Sequence, residues 1–593
     1  MTKKIIYENF TKEELIEEIY KVKCRLKYGL IWEDTKEDFV EEMRGKIALL
    51  SEDKDREINK KSNLTNILIE GDNIHALAAL RYTHHKKIDV IYIDPPYNTG
   101  AEDWKYNNNY VNKEDTFRHS KWLSFMSHRL KISKDLLKDD GIMCVLIDHN
   151  ELPRLWQLMD QIFEEKNYLG TVIIRNKPSG RGEGGKIAVQ HEYALFFGKS
   201  DRAIISKFGK DIAEKSHNIL EDEKGYYEPT NLRKTGADKE WKNKSGKIKP
   251  NYYPFYFDPK TNNLSATNTD LPETIYPIND RGEKCIWRKW KKEDMEQLIH
   301  DGEVWCEKQK GHYQIKYKFR TKTLAESPKS IWVNTKYSAT EYGTKHLENI
   351  LDKQGQFPYP KSPFAVMDCI LAASDKKDAI VLDFFAGSGT TGEAVLRLNE
   401  KDNGNRQFIL ATNNENNIID DATYPRLSAL LKKTLKLNNF QEVECDKTNA
   451  LLDKKTKTRE SIGPFNGNLK YFKTTLLDGN ISDKNKYDIA KKMTSLICLK
   501  ENCFSEIITK KPYLIFSNAD NTKKIIILYD EDYLNDVETL LPDDILHKIY
   551  VFSYNTDGSI ESDSFNNKKI EVIPIPQPLF DDQNDVLRGI YET

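Results

Sequence analysis

The chain has 593 residues, 38% of them hydrophobic and 31% charged, which is length for several domains and enough apolar material for their cores. No apolar run approaches the roughly 20 residues of a membrane span, the start Met1-Thr2-Lys3-Lys4 has no apolar signal core, and the eight cysteines contain no Cys-x-x-Cys pair. Membrane and secreted classes are thereby set aside, free thiols in the cytoplasm are expected, and a net charge of −2 means that any nucleic-acid contact must draw on a local basic groove.

In chain order, residues 1–60 read as a helical arm, with Leu15, Ile16 and Ile19 at helical spacing, then Val40, Met43 and Ile47 in a second amphipathic stretch. Asn66 to Ile69 is a short apolar strand ending in Glu70-Gly71-Asp72-Asn73, with a helix through Leu77 and Leu80 beyond it. Asp72 reads equally as an ordinary N-cap or as a ligand-facing acid at a helix start. Val90 to Ile93 is a buried strand that must stop at Pro95-Pro96, since proline donates no ladder hydrogen bond and fixes φ. In an open α/β sheet ligands bind at the carboxyl ends of strands, so Asp94 and Tyr97 are expected in a crevice. A carboxylate and a proline-fixed carbonyl can accept from an exocyclic amine while Tyr97 offers a ring face.

The Asn-rich stretch from Asn98 to Asp115 reads as a mobile loop beside that corner. Helix-period apolars Trp122, Met126, Leu130 and Leu137 follow, then a strand from Ile142 to Ile147, a helix with Leu155, Leu158 and Ile162, and strands at Val172–Ile174 and Tyr193–Phe197. This alternation is that of a doubly wound α/β sheet. A glycine-rich basic loop, Arg175 to Lys186, lies between the last two strands and suits phosphate contacts. From about 200 to 345 the alternation disappears, and Lys, Arg, Trp and Tyr interleave around Trp241, Tyr252-Tyr253, Trp287, Trp290, Trp305 and Trp332, in a mixture of small core and groove contacts.

A second anchor comes late. Ala379 to Leu382 is a buried strand running into Asp383-Phe384-Phe385-Ala386-Gly387-Ser388-Gly389-Thr390-Thr391 and then a helix through Ala394, Val395 and Leu398. The two glycines let backbone approach a ligand, and the helix start can meet a carboxylate. With no lysine before Thr390 or Thr391, a nucleotide phosphate loop is excluded. Phe408 to Ala411 is a further strand, and Glu415 beyond it suits two ribose hydroxyls. Past a charged linker at Asp453–Lys457, strands at Tyr513–Phe516, Ile525–Tyr529, Ile549–Tyr554 and Ile570–Ile573 alternate with helices, one of them near Leu540, as a small α/β domain. No ligand cluster for a metal is evident.

Asp94-Pro95-Pro96-Tyr97 resembles the catalytic motif of amino-DNA methyltransferases, which methylate an exocyclic base nitrogen with S-adenosylmethionine. Asp383 to Thr390 resembles their cofactor loop, Asp72 and Asn73 match the acid and neighbour that meet the cofactor's adenine, and Lys361 and Ser362, in Phe357-Pro358-Tyr359-Pro360-Lys361-Ser362, match the segment that reaches its methionine end. The motif order, catalytic before cofactor with an insert between, resembles the β class over roughly residues 60–440. Lys27 to Glu33, Asn468 to Thr474 and Gly479 to Tyr487 resemble the modification subunits of Type III restriction systems.

The resemblance implies a Rossmann-like S-adenosylmethionine-dependent methyltransferase fold with an inserted target-recognition domain and a small C-terminal α/β domain. The implied organisation is a helical arm (1–60), the catalytic half (61–198), target recognition (199–345), the cofactor half (346–444) and the C-terminal domain (445–593). The first-position Asp implies adenine-N6 chemistry on a flipped base that stacks on Tyr97 and gives its amine to Asp94 and the Pro95 carbonyl. Duplex DNA, a second copy of the chain and a restriction subunit are the implied partners. The alternatives are a DNA-recognition or scaffold subunit without catalysis, or a cytosine-N4 or RNA methyltransferase.

Overall fold

The computed structural model describes residues 37–58, 62–100, 114–180, 187–209, 220–234, 240–243, 245–279, 282–288, 292–309, 311–320, 325–440, 458–479, 483–510, 512–530, 546–553 and 570–591, with residues 11, 12, 32, 105, 106, 109–111, 182 and 533 besides. The segment Lys27–Glu33, apart from Trp32, the linker at Asp453–Lys457, Trp290 and the expected helix near Leu540 lie outside them. The chain divides into two compact units, residues 1–207 with 327–593, and residues 208–326.

Among the described residues the first unit is built on a ten-stranded sheet. In chain order its strands are β1 (Lys46–Glu52), β2 (Thr65–Glu70), β3 (Ile88–Ile93), β4 (Leu137–Ile147), β5 (Tyr168–Ile174), β6 (Glu192–Gly198), β7 (Ile331–Trp332), β8 (Ile380–Asp383), β9 (Gln407–Thr412) and β10 (Asn468–Asp478). Their spatial order is β1-β10-β2-β9-β8-β3-β4-β6-β5-β7. From β10 through β4 all neighbours run parallel, and β1 and β6 are antiparallel to theirs. All six residues of β3 are buried, as a strand covered on both faces requires.

The helices nearest the motif strands are α1 (Asn73–His84), α2 (Arg118–Leu136), α3 (Leu152–Phe163), α4 (Pro363–Ala373), α5 (Thr390–Asp402) and α6 (Tyr424–Lys432). Ile91, Ile93, Leu382 and Ile409 join α1, α2 and α3 in one core. α4 packs on β3 and β4 and also on α5.

Three segments differ from the sequence reading. Ile47 opens no helix; the helix there is confined to Asp38–Glu42, and Ile47-Ala48-Leu49-Leu50 are all buried inside β1, where an unbroken apolar run fits a strand better than a one-sided helix. Asn468–Thr474, read with the C-terminal domain, pairs between β1 and β2 in the central sheet. The polar stretch after Asn98 contains two short paired strands, Lys105–Tyr106 and Asn109–Tyr110.

Further along, a five-stranded mixed sheet runs Ser505–Lys510, Tyr513–Ser517, Lys523–Leu528, Leu546–Phe552 and Ile570–Ile575, followed by a helix at Gln577–Tyr591. Buried Gln583 on that helix accepts from the Ala48 amide at 2.8 Å and donates to the Ala48 carbonyl at 2.7 Å, on the outer edge of β1.

The second unit holds a four-stranded antiparallel sheet (Leu220–Asp222, Gly225–Asn231, His312–Phe319, Val304–Gln309) and a three-stranded one (Asn263–Ser265, Phe255–Asp258, Glu273–Ile275). Its core gathers Leu232, Tyr253, Phe255, Phe257, Trp287, Met295 and Ile315. Trp287 is therefore a core side chain, its indole donating to the Tyr253 carbonyl at 2.7 Å. Trp332 is buried in β7 of the first unit. Trp241 is half-buried, with the ammoniums of Lys242 and Lys284 each 4.6 Å from its ring.

Candidate active site

β8 and β3 are parallel neighbours with Leu382 opposite Ile91, so their carboxyl ends emerge side by side. Asp383 ends one and Asp94 follows the other, which brings two motifs nearly 300 residues apart in sequence to one edge. Beyond Asp94 the chain is pinned. Fully buried Trp122 donates to the Pro96 carbonyl at 2.8 Å, and Asn98, at φ +55°, donates to Glu151 at 2.6 Å and to the Arg118 carbonyl at 3.3 Å. Buried Glu151 also meets His119 at 2.5 Å.

The charge at this corner is shared by four side chains. The Lys361 ammonium stands 2.9 Å from Asp94 Oδ2 and 3.2 Å from Glu192 Oε2, and donates to the Tyr97 hydroxyl at 2.8 Å. It also lies 4.6 Å from the Tyr97 ring. Tyr97 in turn donates to Glu192 Oε2 at 3.1 Å, and Asn176 donates to the same oxygen at 2.8 Å. Burial opposes the Lys361 charge, but Asp94 and Glu192 outweigh it and hold the ammonium above its usual value. Burial pushes the Glu192 carboxyl up, with Lys361 offsetting part of the shift and Asp94 adding to it. Asp94 Oδ1 is buried, and no donor among the described residues reaches it.

The glycine loop has a different character. Gly387 and Gly389 adopt φ +47° and +76°, conformations that favour glycine. Asp383 accepts from the Phe385 amide at 2.9 Å and from the Thr391 hydroxyl at 2.5 Å; burial nevertheless pushes its carboxyl up to about 7. Phe384 and Ala386 are buried, Phe385 rests on Phe125 with ring centroids 5.8 Å apart, and the Ser388 and Thr390 hydroxyls are 3.2 Å apart. From α6, buried Arg426 donates to the Ser388 carbonyl, the Ser388 hydroxyl and the Thr390 hydroxyl at 3.3, 3.2 and 2.8 Å. Arg426 also bonds Glu393 Oε2 at 2.8 Å, while Glu393 Oε1 meets His346 at 2.5 Å and Arg397 at 2.7 Å.

The remaining predicted residues lie around these two features. Asp72 caps α1, accepting from the Ile74 amide at 2.8 Å, and stands 3.4 Å from Arg129. Asn73 accepts from Arg129 and donates to the Phe384 carbonyl at 3.1 Å, tying the start of α1 to the glycine loop. Ser362 caps the start of α4 by position, and its hydroxyl donates to the Lys336 carbonyl at 2.6 Å. Half-buried Glu415 opens a turn just past β9.

Sequence reasoning missed Glu192, Arg426 and Arg129. Glu192 had a readable signal, an acid opening the otherwise apolar strand Glu192-Tyr193-Ala194-Leu195-Phe196-Phe197. Arg129 had another, since it sits on the buried face of α2 beside Trp122 and Met126, where it meets Glu37 at 2.6 Å and lies 3.7 Å from the Phe125 ring.

Over 402 residues the chain is 32% identical to the EcoPI Mod subunit, of a Type III restriction-modification enzyme of Escherichia phage P1, a match covering 62% of this chain and 60% of that one. The Type II methyltransferase M.KpnI of Klebsiella pneumoniae is 35% identical over 349 residues, 58% of this chain and 79% of its own length. The StyLTI Mod subunit of Salmonella typhimurium is 28% identical over 457 residues, 73% of this chain and 63% of its own. The matches to the two Mod subunits thus each span less than two thirds of their length. A family model described as DNA methylase (N6_N4_Mtase) matches residues 88–424, from β3 to the start of α6 and across both motif strands; with more than half of the 593 residues matched, the chain belongs to that DNA methylase family.

Proposed function

We propose that this chain is an S-adenosylmethionine-dependent DNA adenine-N6 methyltransferase, the modification subunit of a Type III restriction system. The observation that carries the reading is the buried Oδ1 of Asp94, which no donor among the described residues reaches, at a strand end beside the glycine loop. A buried carboxylate oxygen without a donor is costly, and the exocyclic amine of a flipped base is the donor that would relieve it.

The residues present fit the cofactor. A Cβ on Gly387 would come within 3.2 Å of the Phe357 ring, and α5 begins without a side-chain cap, so its first amides are available to a carboxylate. Asp72, Asn73, Ser362, the loop from Asp383 through Thr390, and Glu415 would hold it, Glu415 by the ribose hydroxyls. When bound it supplies an activated methyl group on a sulfonium. The chain's own part is orientation. Asp94 Oδ1 and the Pro95 carbonyl accept the amine's hydrogens and turn its lone pair toward the methyl donor, and the carboxylate offsets positive charge developing on the nitrogen. Tyr97 offers a ring face for the base, and Trp122, by holding the Pro96 carbonyl, keeps the turn in place.

Adenine is favoured because the first motif position is Asp. Kinship with Mod subunits supports duplex DNA as substrate, a restriction subunit as partner and a second copy of the chain as dimer mate, in a cytoplasmic complex; no helix among the described residues is long and apolar enough to cross a membrane. The domain proposal is an arm preceding β1 within 1–60, catalytic and cofactor halves at 61–198 and 346–444, target recognition in the unit 208–326 within 199–345, and a subunit-contact domain in the residues after β10 within 445–593. The test is incubation of the full chain with S-adenosylmethionine and duplex DNA, followed by mass spectrometry of the nucleosides. N6-methyladenine is expected; methylcytosine alone, methylation of RNA alone, or cofactor binding without transfer would overturn the reading. Light scattering decides the dimer, a monomeric and fully active chain counting against it, and the pure chain should not cleave DNA.

A further inference from the structure

Lys361 is delivered to Asp94 by a rigid route. It lies in the segment Phe357–Ser362, which is anchored at both ends: Phe357 lies against Gly387, and Ser362 bonds the Lys336 carbonyl at 2.6 Å. In between, Gly343 approaches so closely that a Cβ there would sit 2.1 Å from the Pro360 carbonyl oxygen. An ammonium carries three N–H bonds. Three acceptors surround this one, Asp94 Oδ2, Glu192 Oε2 and the Tyr97 hydroxyl, at 2.9, 3.2 and 2.8 Å. A lysine whose protons all face these groups has none left for the carboxylate of a cofactor.

We propose that Lys361 and Glu192 are positioning residues for methyl transfer: the ammonium clamps Asp94 Oδ2 and the Tyr97 hydroxyl, Glu192 anchors the ammonium, and Asp94 Oδ1, which no donor among the described residues reaches, is thereby left to the base amine. The proposal rests on the methyltransferase reading above. The geometry is over-determined in the way a site needing sub-ångström placement requires. Asp94 cannot rotate without leaving Lys361. The Tyr97 ring cannot tilt without losing both its bonds, and Lys361 occupies one position by that ring, so the base must use another. Asn176 completes the arrangement by holding Glu192 from β5's end.

The experiment measures single-turnover methylation of duplex DNA at saturating S-adenosylmethionine, with cofactor Kd by calorimetry, for the full chain and for Lys361→Met, Lys361→Arg, Glu192→Gln and the double variant Lys361→Met/Glu192→Gln. Lys361→Met should slow transfer about 100-fold or more while cofactor Kd stays within about threefold, a split that positioning at the base predicts and cofactor binding does not. Lys361→Arg should recover part of the rate. The double variant, which removes the ammonium and the charge of its anchor together, should be no slower than Lys361→Met, because the two act as one unit. It also guards against misfolding from two facing carboxylates. A cofactor Kd weakened tenfold with the rate restored at saturation would assign Lys361 to the cofactor and overturn the proposal. So would transfer by Lys361→Met within threefold of the unmodified chain. If the unmodified chain binds cofactor but transfers no methyl to DNA, the functional reading fails first and this proposal falls with it.

Discussion

The two buried charge clusters at the sheet's edge are built from similar side chains and end in opposite states. In the cluster behind the glycine loop, Glu393 has both oxygens bonded, one by His346 and Arg397 and the other by Arg426. Burial works against its ionisation, yet His346 and the two guanidiniums hold its carboxyl well below the usual range. At the catalytic corner one ammonium serves two carboxylates, Glu192 is pushed up, and Asp94 keeps one buried oxygen without a donor among the described residues. The Glu393 carboxylate has no oxygen without a donor. The Asp94 carboxylate has one buried oxygen that no donor among the described residues reaches, and the difference lies in how many donors each carboxylate receives.

Breaking the catalytic corner at Asp94 should have the largest effect. Asp94→Ala is expected to cut single-turnover methylation by roughly 10³-fold, comparable to or beyond the loss of one oriented electrostatic group. Specific DNA binding, followed in parallel by gel shift, should persist. Breaking the Glu393 cluster should show in stability instead. Glu393→Ala leaves buried Arg426 without its carboxylate, and removing one partner of such a pair costs about 3–5 kcal/mol, to be read from denaturant unfolding. Cofactor affinity should weaken as well, because Arg426 also holds Ser388 and Thr390.

Tyr97 sharpens the contrast further. Tyr97→Ala removes base stacking worth about 1–3 kcal/mol. Tyr97→Phe keeps the ring, but the hydroxyl it lacks bonds both Lys361 and Glu192 beside their direct contact, so activity should fall between that of Ala and the unmodified chain and not close to the latter. Single-turnover rates rank the three. The smallest effect concerns Asp383. Its carboxyl is pushed up to about 7 in the folded chain against roughly 3.9 when unfolded, so between those values the folded state holds the extra proton and stability falls as pH rises. Asp383→Asn lacks that dependence. Its unfolding free energy should gain on the unmodified chain's by about 1 kcal/mol between pH 6 and pH 7; parallel curves would mean that Asp383 is not the titrating group.

Both anchors of the site were legible because their signals are local: Pro95-Pro96 must stop a strand, and Gly387 and Gly389 must permit a turn before a helix. The doubly wound sheet followed from strand and helix alternating between Asn66 and Ile174. What stayed hidden depends on pairing between distant segments. Nothing in Ile47-Ala48-Leu49-Leu50 states that Thr474 to Leu477 will lie beside it, so β1 was read as helix and β10 was assigned to a later domain. Lys361 was legible as part of a motif, yet its partners come from β3's end and β6, more than 160 residues away, and no pattern in Phe357–Ser362 points to them. Trp287 shows the reverse error in kind: an aromatic among basic residues looks like a groove contact until its indole is found bonded inside a core.

Gln583 has a consequence for how the chain behaves among its own copies. β1 is the outermost strand of the large sheet, and an unpaired edge is a template on which another chain can add a strand. By accepting from one Ala48 backbone group and donating to the other, the Gln583 amide makes the pair of bonds that an incoming residue would make, and so occupies the middle of that template with a single side chain. The C-terminal helix thus acts as a stopper against strand addition. Gln583→Ala, which leaves Leu579, Phe580 and Val586 of that helix in the core, should uncork the edge, and the first symptom should be concentration-dependent aggregation with the ten-stranded sheet still folded.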